Sequence, residues 1–213
     1  ITYTGPANTA IWEGDVSTDW NVAGNWNTGI VPDANTDVII PTLVAPAGFT
    51  RVFWGGSTVN NQPTVTGAGG VCRNLTVAVG RTLSLSTNLV VVNGNVTNSG
   101  TIDGGTGTLR FDGILPATLT NAGTLNAFNL TVNKTTTSLT TGSSFTVNGA
   151  LTVQADSTFN ATAGSVTFAG VGVGNIVNTS TAAAPQLTFF GLIVNKSAGV
   201  NDDTTANFSV AGG

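Results

Sequence analysis

Residues that could carry out acid–base or nucleophilic chemistry are scarce in this sequence. Histidine is absent, so neither a Ser-His-Asp triad nor a Cys-His pair can be assembled, and a histidine-based metal site is excluded. Paired carboxylates could support glycoside hydrolysis, in which one acid protonates the leaving group and the other attacks or activates water. Two such pairs exist, Asp103 with Asp112 and Asp202 with Asp203, and both fit solvated turns better than a groove. The sequence therefore predicts no catalytic residues and a protein that is not an enzyme.

A polysaccharide-degrading solenoid enzyme is the catalytic alternative. Enzymes of this kind that cleave acidic polysaccharides use calcium held by Asp side chains together with a basic residue. In this chain Arg81, Arg110 and Lys134 are far apart within the repeat, and no dense cluster of Asp residues accompanies them. The residue pattern therefore does not favour this alternative.

Three oxygen-bearing side chains near the N-terminus could bind calcium. Asp33, Asn35 and Asp37 lie at alternate positions, and carboxylate and amide oxygens are calcium ligands. They do not complete a ligand set, and a polar turn explains the same residues. Calcium is thus the one cofactor that the sequence allows; otherwise none is predicted.

Tryptophan is concentrated at the start of the chain. Trp12, Trp20 and Trp26 are three of the four Trp residues and fall within residues 1–35. Aromatic side chains this dense in a loop-rich segment supply a compact apolar plug, which the open end of a stacked β-array requires. We therefore interpret residues 1–35 as an N-terminal cap or docking segment. The alternative is a carbohydrate-binding module in which Trp12, Trp20, Trp26 or Trp54 is exposed and stacks on sugar rings.

Residues 36–213 are predicted to form short β-strands. Runs of three to five residues alternate between apolar and polar side chains and are separated by Gly, Asn and Ser. Asn-Gly pairs at 93–94 and 148–149 would suit the hairpins of an antiparallel β-sandwich. Asn residues also follow many other runs, and Asn tolerates the sharp corners of a β-solenoid. We favour an all-β fold, a right-handed parallel β-solenoid with a Trp-rich N-terminal cap, and keep the antiparallel β-sandwich as the alternative.

The alternation also predicts which side chains point into the solenoid. These inward residues are Leu75, Val77, Leu83, Leu85, Leu109, Phe111, Leu130, Val132, Phe145, Val147, Leu151, Val153, Val166 and Phe168.

The solenoid segment contains an internal repeat. The segment 74–77 (Asn-Leu-Thr-Val) returns at 129–132, and 108–113 (Thr-Leu-Arg-Phe-Asp-Gly) returns as 165–170 (Ser-Val-Thr-Phe-Ala-Gly). The copies are 74–128, 129–190 and a partial copy, 191–213. Repetition of this kind is typical of stacked arrays, in which each unit buries its apolar face against its neighbours. With about three strands per turn, we expect each copy to fill close to three turns.

The partial third copy predicts an open β-edge. It includes Phe208 and Val210, and no second Trp-rich segment follows them. Such an edge is a template for further pairing, for which the strand-like segment containing Ile1 and Tyr3 is a candidate. The chain is then either part of a longer surface protein or a subunit of a head-to-tail filament. The expected partners are further repeats of the same protein or copies of this chain.

Composition excludes several other functions. Only 8% of residues are charged, the net charge is −4, and the six basic residues are scattered, so a nucleic-acid partner is not expected. No apolar run is long enough for a membrane span. The single cysteine, Cys72, excludes an intramolecular disulfide.

The Trp-rich opening and the repeat together resemble a known class of proteins. The segments 12–20 (Trp-Glu-Gly-Asp-Val-Ser-Thr-Asp-Trp), 25–26 (Asn-Trp) and 37–41 (Asp-Val-Ile-Ile-Pro) are followed by the Asn-Leu-Thr-Val and Val-Asn-Gly repeats. This order is similar to the start of large secreted and cell-surface repeat proteins of Bacteroidetes-type bacteria, which look like adhesins and structural surface material. The resemblance implies secretion or display at the cell surface, a structural or adhesive role, and surface polysaccharide as a further partner.

Two short motifs belong to the same resemblance. The segments 156–158 (Asp-Ser-Thr) and 203–205 (Asp-Thr-Thr) resemble the three-residue sites of O-glycosylation in these bacteria. The resemblance therefore implies Ser157 and Thr204 as candidate glycosylation sites.

Overall fold

The chain folds into a parallel β-solenoid of about six turns. The computed structural model describes residues 8–42, 61–154, 156–183, 186–204 and 208–210. Three sheets form the walls, and every pairing between named strands in these residues is parallel. The predicted solenoid is therefore confirmed, and the antiparallel sandwich is wrong.

From β4 to β21, each turn contributes one strand to each sheet. Sheet I consists of β1 (Thr9–Ile11), β2 (Asp37–Ile40), β4 (Leu75–Val77), β7 (Val96–Asn98), β10 (Ala117–Asn121), β13 (Ser138–Thr141), β16 (Thr158–Ala161), β19 (Leu187–Phe189) and β22 (Phe208–Val210). Sheet II consists of β5 (Thr82–Ser84), β8 (Thr101–Asp103), β11 (Thr124–Ala127), β14 (Phe145–Val147), β17 (Ser165–Gly170) and β20 (Gly191–Lys196). Sheet III consists of β3 (Gly70–Cys72), β6 (Leu89–Val92), β9 (Thr108–Gly113), β12 (Asn129–Lys134), β15 (Ala150–Val153), β18 (Gly174–Asn178) and β21 (Val200–Thr204). One short 3-10 helix, Ala23–Asn25, lies before β2.

The core is built from the inward side chains of all three sheets. All fourteen residues predicted to point inward are at most 4% exposed, as expected for period-two alternation on a pleated strand. Aromatic rings continue from one turn to the next: the ring centroids of Phe145 and Phe159 lie 6.4 Å apart, and those of Phe159 and Phe189 lie 5.8 Å apart. The apolar interior is therefore a continuous column rather than a set of separate layers.

The sequence repeat and the structural turn do not coincide. The first copy of Asn-Leu-Thr-Val includes β4 in sheet I, whereas the second belongs to β12 in sheet III. The same displacement of eight strands separates β6 from β14 and β9 from β17. A turn takes three strands, so one copy fills two and two-thirds turns. This number is close to the three turns expected, but because it is not a whole number, successive copies lie on different faces.

The Trp-rich segment forms the plug that the sequence predicts. Trp26 makes edge-to-face contacts with Trp12 and Trp20, at centroid distances of 5.0 and 4.8 Å. The indole nitrogen of Trp26 donates to the carbonyl of Trp20 at 2.8 Å, and that of Trp12 donates to the carbonyl of Asn61 at 2.6 Å. All three rings join the apolar column, while β1 extends sheet I beyond β2. The limit of this cap at residue 35 stays a prediction.

Asparagine ladders stabilise the corner between sheets I and II. Asn98 is fully buried, and its amide nitrogen donates to the side chain of Asn121 at 2.7 Å and to the carbonyl of Thr124 at 2.9 Å. Its side-chain oxygen accepts from the backbone of Gly100. Buried amides need such partners, and here each turn supplies the partners of the turn before it. Neither Asn98 nor Asn121 has a positive φ, so at this corner Asn acts through side-chain hydrogen bonds and not through the left-handed backbone for which it was predicted.

A buried lysine closes the corner between sheets III and I. The ammonium of Lys134 donates to the carbonyl of Asp112 at 2.5 Å and to that of Asn93 at 2.7 Å, one and two turns back. Burial lowers the pKa of this ammonium, and the nearby Asp112 opposes that shift. The carbonyl of Lys134 in turn accepts from the hydroxyl of Ser157 at 2.8 Å. One side chain therefore links three successive turns.

Candidate binding surface on sheet I

The predicted sugar-stacking surface is wrong for three of the four Trp residues. Trp12, Trp20 and Trp26 are at most 2% exposed, because the plug covers both faces of each ring. An indole must present an open face to stack on a sugar. Trp54 lies outside the described residues.

The candidate calcium residues form a polar turn and an ion pair. The carboxylate of Asp33 accepts from the hydroxyl of Thr36 at 2.7 Å and from the backbone of Asn35 at 2.9 Å. These hydrogen bonds lower the pKa of Asp33. Both oxygens of Asp37 accept from the Arg73 guanidinium instead, at 2.6 and 2.7 Å. Within the described ranges, no three acidic or cysteine side chains gather closely enough to hold a metal ion.

One of the two candidate glycosylation sites is inaccessible. Ser157 is fully buried and donates its hydroxyl to Lys134, so a glycosyl group could not be attached in the folded chain. This prediction is wrong because the corner after β15 points the hydroxyl inward, which a three-residue motif does not reveal. The side chain of Thr204 lies outside what the structure describes, and that site stays a prediction.

The carboxylate pairs are not gathered in a groove. Asp103 ends β8 in sheet II, whereas Asp112 lies in β9 of sheet III. Asp112 is held by Arg110 at 2.7 Å and by the amide of Asn133 at 3.1 Å. The side chains of Asp202 and Asp203 lie outside the described set.

The candidate assembly residues lie partly outside the described chain. Ile1 and Tyr3 are not described, and for Phe208 only the backbone of β22 is. Val210 is 47% exposed on β22, the last strand of sheet I. On β20, the last strand of sheet II, Ile193 and Val194 are about half exposed. Apolar side chains are therefore available at this end of the solenoid.

The outer face of sheet I carries a row of hydroxyl and amide side chains. The strand registers place Thr76 beside Thr97, which in turn lies beside Thr120. Beyond β10 the row continues, in strand order, through Thr118, Thr140, Asn160, Thr188 and Ser209. Members on paired strands are about 4.8 Å apart, the spacing between such strands. Thr120 and Thr118 lie on the same strand, so the row is offset by two residues at β10. The row thus presents polar but uncharged groups in two stretches that meet on β10.

A groove of about 310 Å³ interrupts this face near the cap. It lies over β1, β2, β4 and β7, and it is lined by Thr9, Asp37, Val38, Ile39, Asn74, Leu75, Thr76, Asn95 and Thr97. The register gives two rows along it: Thr9, Asp37, Asn74 and Asn95 at the strand beginnings, and Ile39, Thr76 and Thr97 two residues further on. Polar groups and one aliphatic side chain therefore share a small concave surface.

The groove side chains are fixed by hydrogen bonds that run along the solenoid. The amide of Asn74 donates to Asp37 at 2.8 Å, and its oxygen accepts from the backbone of Asn95 at 2.7 Å. The oxygen of Asn95 accepts from the backbone of Thr118 at 2.8 Å. Hydrogen bonds from Arg73 hold the pKa of Asp37 below its usual value, against the opposing effect of partial burial. Asp37 is thus a charged carboxylate whose charge Arg73 balances.

Sequence reasoning missed Asn74 and Asn95 as groove residues. Their alignment with Asp37 depends on a strand register that the sequence does not display. Both residues directly precede the first apolar residue of a predicted strand, and this common position is the sequence feature that could have identified them.

No protein-family model, no curated protein and no solved structure matches this chain. Among the described residues there is no helix with the length and apolar character of a membrane span.

Proposed function

We propose that this chain is a non-catalytic structural and adhesive β-solenoid of the cell surface or the extracellular space, and that it binds polysaccharide through the outer face of sheet I. The observation that carries the proposal is a row of Thr, Asn and Ser side chains in two stretches, each in register. The first stretch runs from Thr76 to Thr120 and the second from Thr118 to Ser209, with an offset of two residues on β10. The resemblance to secreted repeat proteins supports the location.

The chemistry of the row matches a hydroxyl-rich polymer. Burying an unpaired charge is far more costly than burying a hydroxyl or amide that finds a hydrogen-bond partner. A face of hydroxyls and amides can exchange hydrogen bonds with water for hydrogen bonds with sugar hydroxyls at little cost. Regular spacing along a stiff rod allows many weak contacts to act together on one extended chain.

Co-sedimentation with insoluble polysaccharides tests this proposal. Cellulose, chitin and cross-linked mannan are suitable probes, and charged pectate serves as a comparison. The triple variant Thr118→Val/Thr140→Val/Thr188→Val removes three hydroxyls and keeps the β-branched shape. We expect it to reduce binding at least tenfold without loss of folding.

A matched control places the same change on another face. Thr131→Val/Thr152→Val alters neighbouring outward positions of sheet III and should leave binding unchanged. Failure of the parent chain to bind any of these polymers would contradict the proposal. Equal losses of polysaccharide binding in the sheet I variant and the sheet III control would also contradict it.

Self-association is a second candidate, favoured by the half-exposed Ile193 and Val194 on β20 and Val210 on β22. An edge strand with apolar side chains can pair with a strand of another chain. Sedimentation velocity over a hundredfold range of concentration tests this, with Ile193→Lys/Val194→Lys as the variant. Concentration-dependent growth that the variant abolishes is the expected result, and a constant monomer would contradict it.

A further inference from the structure

We infer that the groove over β1, β2, β4 and β7 is a subsite for one unit of a neutral saccharide. This inference rests on the proposed function, because it assigns to one place on sheet I a contact more specific than the general row provides. The volume of the groove falls at the lower end of the range of about 300–1,000 Å³ for small-ligand sites, which suits a short ligand or one unit of a polymer.

The groove offers hydrogen-bonding groups in fixed positions. The oxygens of Asn74 and Asn95 each accept from the backbone of the next turn, so neither amide can rotate without breaking that bond. The amide nitrogen of Asn95 has no protein partner among the described residues, and Asn95 is exposed. Its two N–H groups are therefore available to a ligand. Thr76 and Thr97 add hydroxyls one strand apart, which can donate or accept.

An aliphatic side chain distinguishes this part of sheet I from the rest of the row. Ile39 lies directly beside Thr76, whereas the other described members of the row, from Thr97 to Ser209, are Thr, Asn or Ser. A pyranose presents hydroxyls at its rim and C–H groups on its faces. Ile39 and the methyl groups of the two Thr residues can contact the C–H face while the amide and hydroxyls bind the rim.

The charge of the groove favours a neutral sugar over an acidic or basic one. Among the described residues that line it, Asp37 alone is charged, and the Arg73 guanidinium donates to both of its oxygens. A uronic acid would place a second carboxylate beside Asp37, and an amino sugar would have to compete with a bidentate Arg pair. A neutral hexose meets neither obstacle.

Isothermal titration or NMR titration of the full chain with neutral tetrasaccharides tests the inference. Suitable probes are the cello-, laminari- and manno-series, with a tetragalacturonate as the charged comparison. Thr76→Val/Thr97→Val removes the two hydroxyls, and Asn95→Asp keeps the oxygen that caps Thr118 while replacing the amide N–H groups by a charge. Each variant should weaken binding of the preferred neutral tetrasaccharide at least tenfold, with the thermal melt unchanged within measurement error.

The outcomes separate this inference from the proposed function. Thr140→Val/Thr188→Val, on the same face but outside the groove, should leave tetrasaccharide affinity unchanged while it weakens binding to the polymer. A parent chain that binds neither polymer nor tetrasaccharide would contradict the proposed function. Polymer binding without tetrasaccharide binding, or tetrasaccharide binding that survives both groove variants, would overturn the subsite alone. Preference for tetragalacturonate would overturn the assignment to a neutral sugar.

Discussion

Lys134 and Lys196 occupy equivalent positions of the sequence repeat, yet they lie in different sheets and make the same contacts. Lys134 in sheet III donates to carbonyls one and two turns back, and Lys196 in sheet II donates to the carbonyls of Ala169 and Asn148 at 2.9 and 2.5 Å. Each of these lysines thus links three successive turns, in sheet III in one copy and in sheet II in the next. We call this arrangement the lysine clamp.

Replacement of Lys134 should destabilise the chain strongly. Lys134→Met keeps the aliphatic stem but leaves the carbonyls of Asn93 and Asp112 without their donor, at a cost of about 1–3 kcal/mol for each buried group. Denaturant unfolding monitored by circular dichroism measures the loss. Lys196→Met is the matched control, and its smaller effect is expected because Lys196 is only half-buried and water can reach its carbonyls. Equal losses would contradict the expectation that the greater burial of Lys134 sets the size of its effect.

Substitution of Gly113 should show that the corner needs a left-handed backbone. Gly113 has φ of +99°, and an added Cβ would lie 3.0 Å from the carbonyl of Asn93, one of the oxygens that Lys134 binds. Gly113→Ala is therefore expected to lower the free energy of unfolding by more than about 1 kcal/mol. Gly142→Ala serves for comparison, because its Cβ would meet nothing closer than 3.7 Å and φ is not in the left-handed region. A neutral result at both positions would show that the corner relaxes freely.

A charge in the apolar column should prevent folding. Phe111 and Phe168 are fully buried between turns, where a carboxylate would find no partner, so Phe111→Asp and Phe168→Asp should each abolish the cooperative thermal transition. Thr108→Ser and Thr167→Ser, on the same strands, should be mild. Melting temperatures of either Phe variant within a degree or two of the parent value would be incompatible with the inward assignment.

The Asp37–Arg73 pair should contribute to stability above about pH 4 and lose its contribution in acid. The pKa of Asp37 is lower in the folded chain than its ordinary value, so the folded state binds fewer protons there than the unfolded state. The stabilisation is complete above the unfolded pKa, near 4, and disappears as the pH falls through the lower folded value. Because the pair is partly exposed, Asp37→Asn should shift the melting temperature at pH 7 by only about 2 °C or less.

A double-mutant cycle isolates that pair from other effects. Asp37→Asn, Arg73→Met and the double variant, melted at pH 7 and pH 3, should show a larger coupling at the higher pH. Coupling of equal size at both values would exclude an ionic origin.

The alternation of apolar and polar side chains allowed the core residues to be predicted from the sequence. The sheet to which each strand of a copy belongs could not be predicted in this way. Inward residues such as Leu130 and Val147 follow from period two within one strand. The number of strands per copy depends also on β10 (Ala-Thr-Leu-Thr-Asn) and β11 (Thr-Leu-Asn-Ala), in each of which Leu is the one large apolar residue. The expected length of close to three turns agrees with the eight strands observed, which make two and two-thirds turns, but the missing third of a turn was not predicted.

The residues of the groove and the side-chain directions at the corners could not be predicted, because the sequence pattern shows neither the strand register nor the path of the backbone. Asp37 and Asn74 are brought together by strand register, with a long segment between them, and the motif around Ser157 does not show which way its hydroxyl points. The Trp-rich cap was predictable because three large aromatic side chains in a short loop-rich segment bury themselves whatever the detailed path of the backbone. Their burial is also the reason that they cannot stack on sugars.

The mismatch between an eight-strand copy and a three-strand turn has a genetic consequence. A tandem duplication that inserts one copy would move every later strand to a different face, and three inserted copies, which make eight complete turns, would restore the original faces. Growth of such a gene by duplication would therefore spread the same outward side chains in a spiral around the rod. Each added copy would reach neighbours in a new direction, so a lengthening chain would become a cross-linker of its surroundings rather than a one-sided strip.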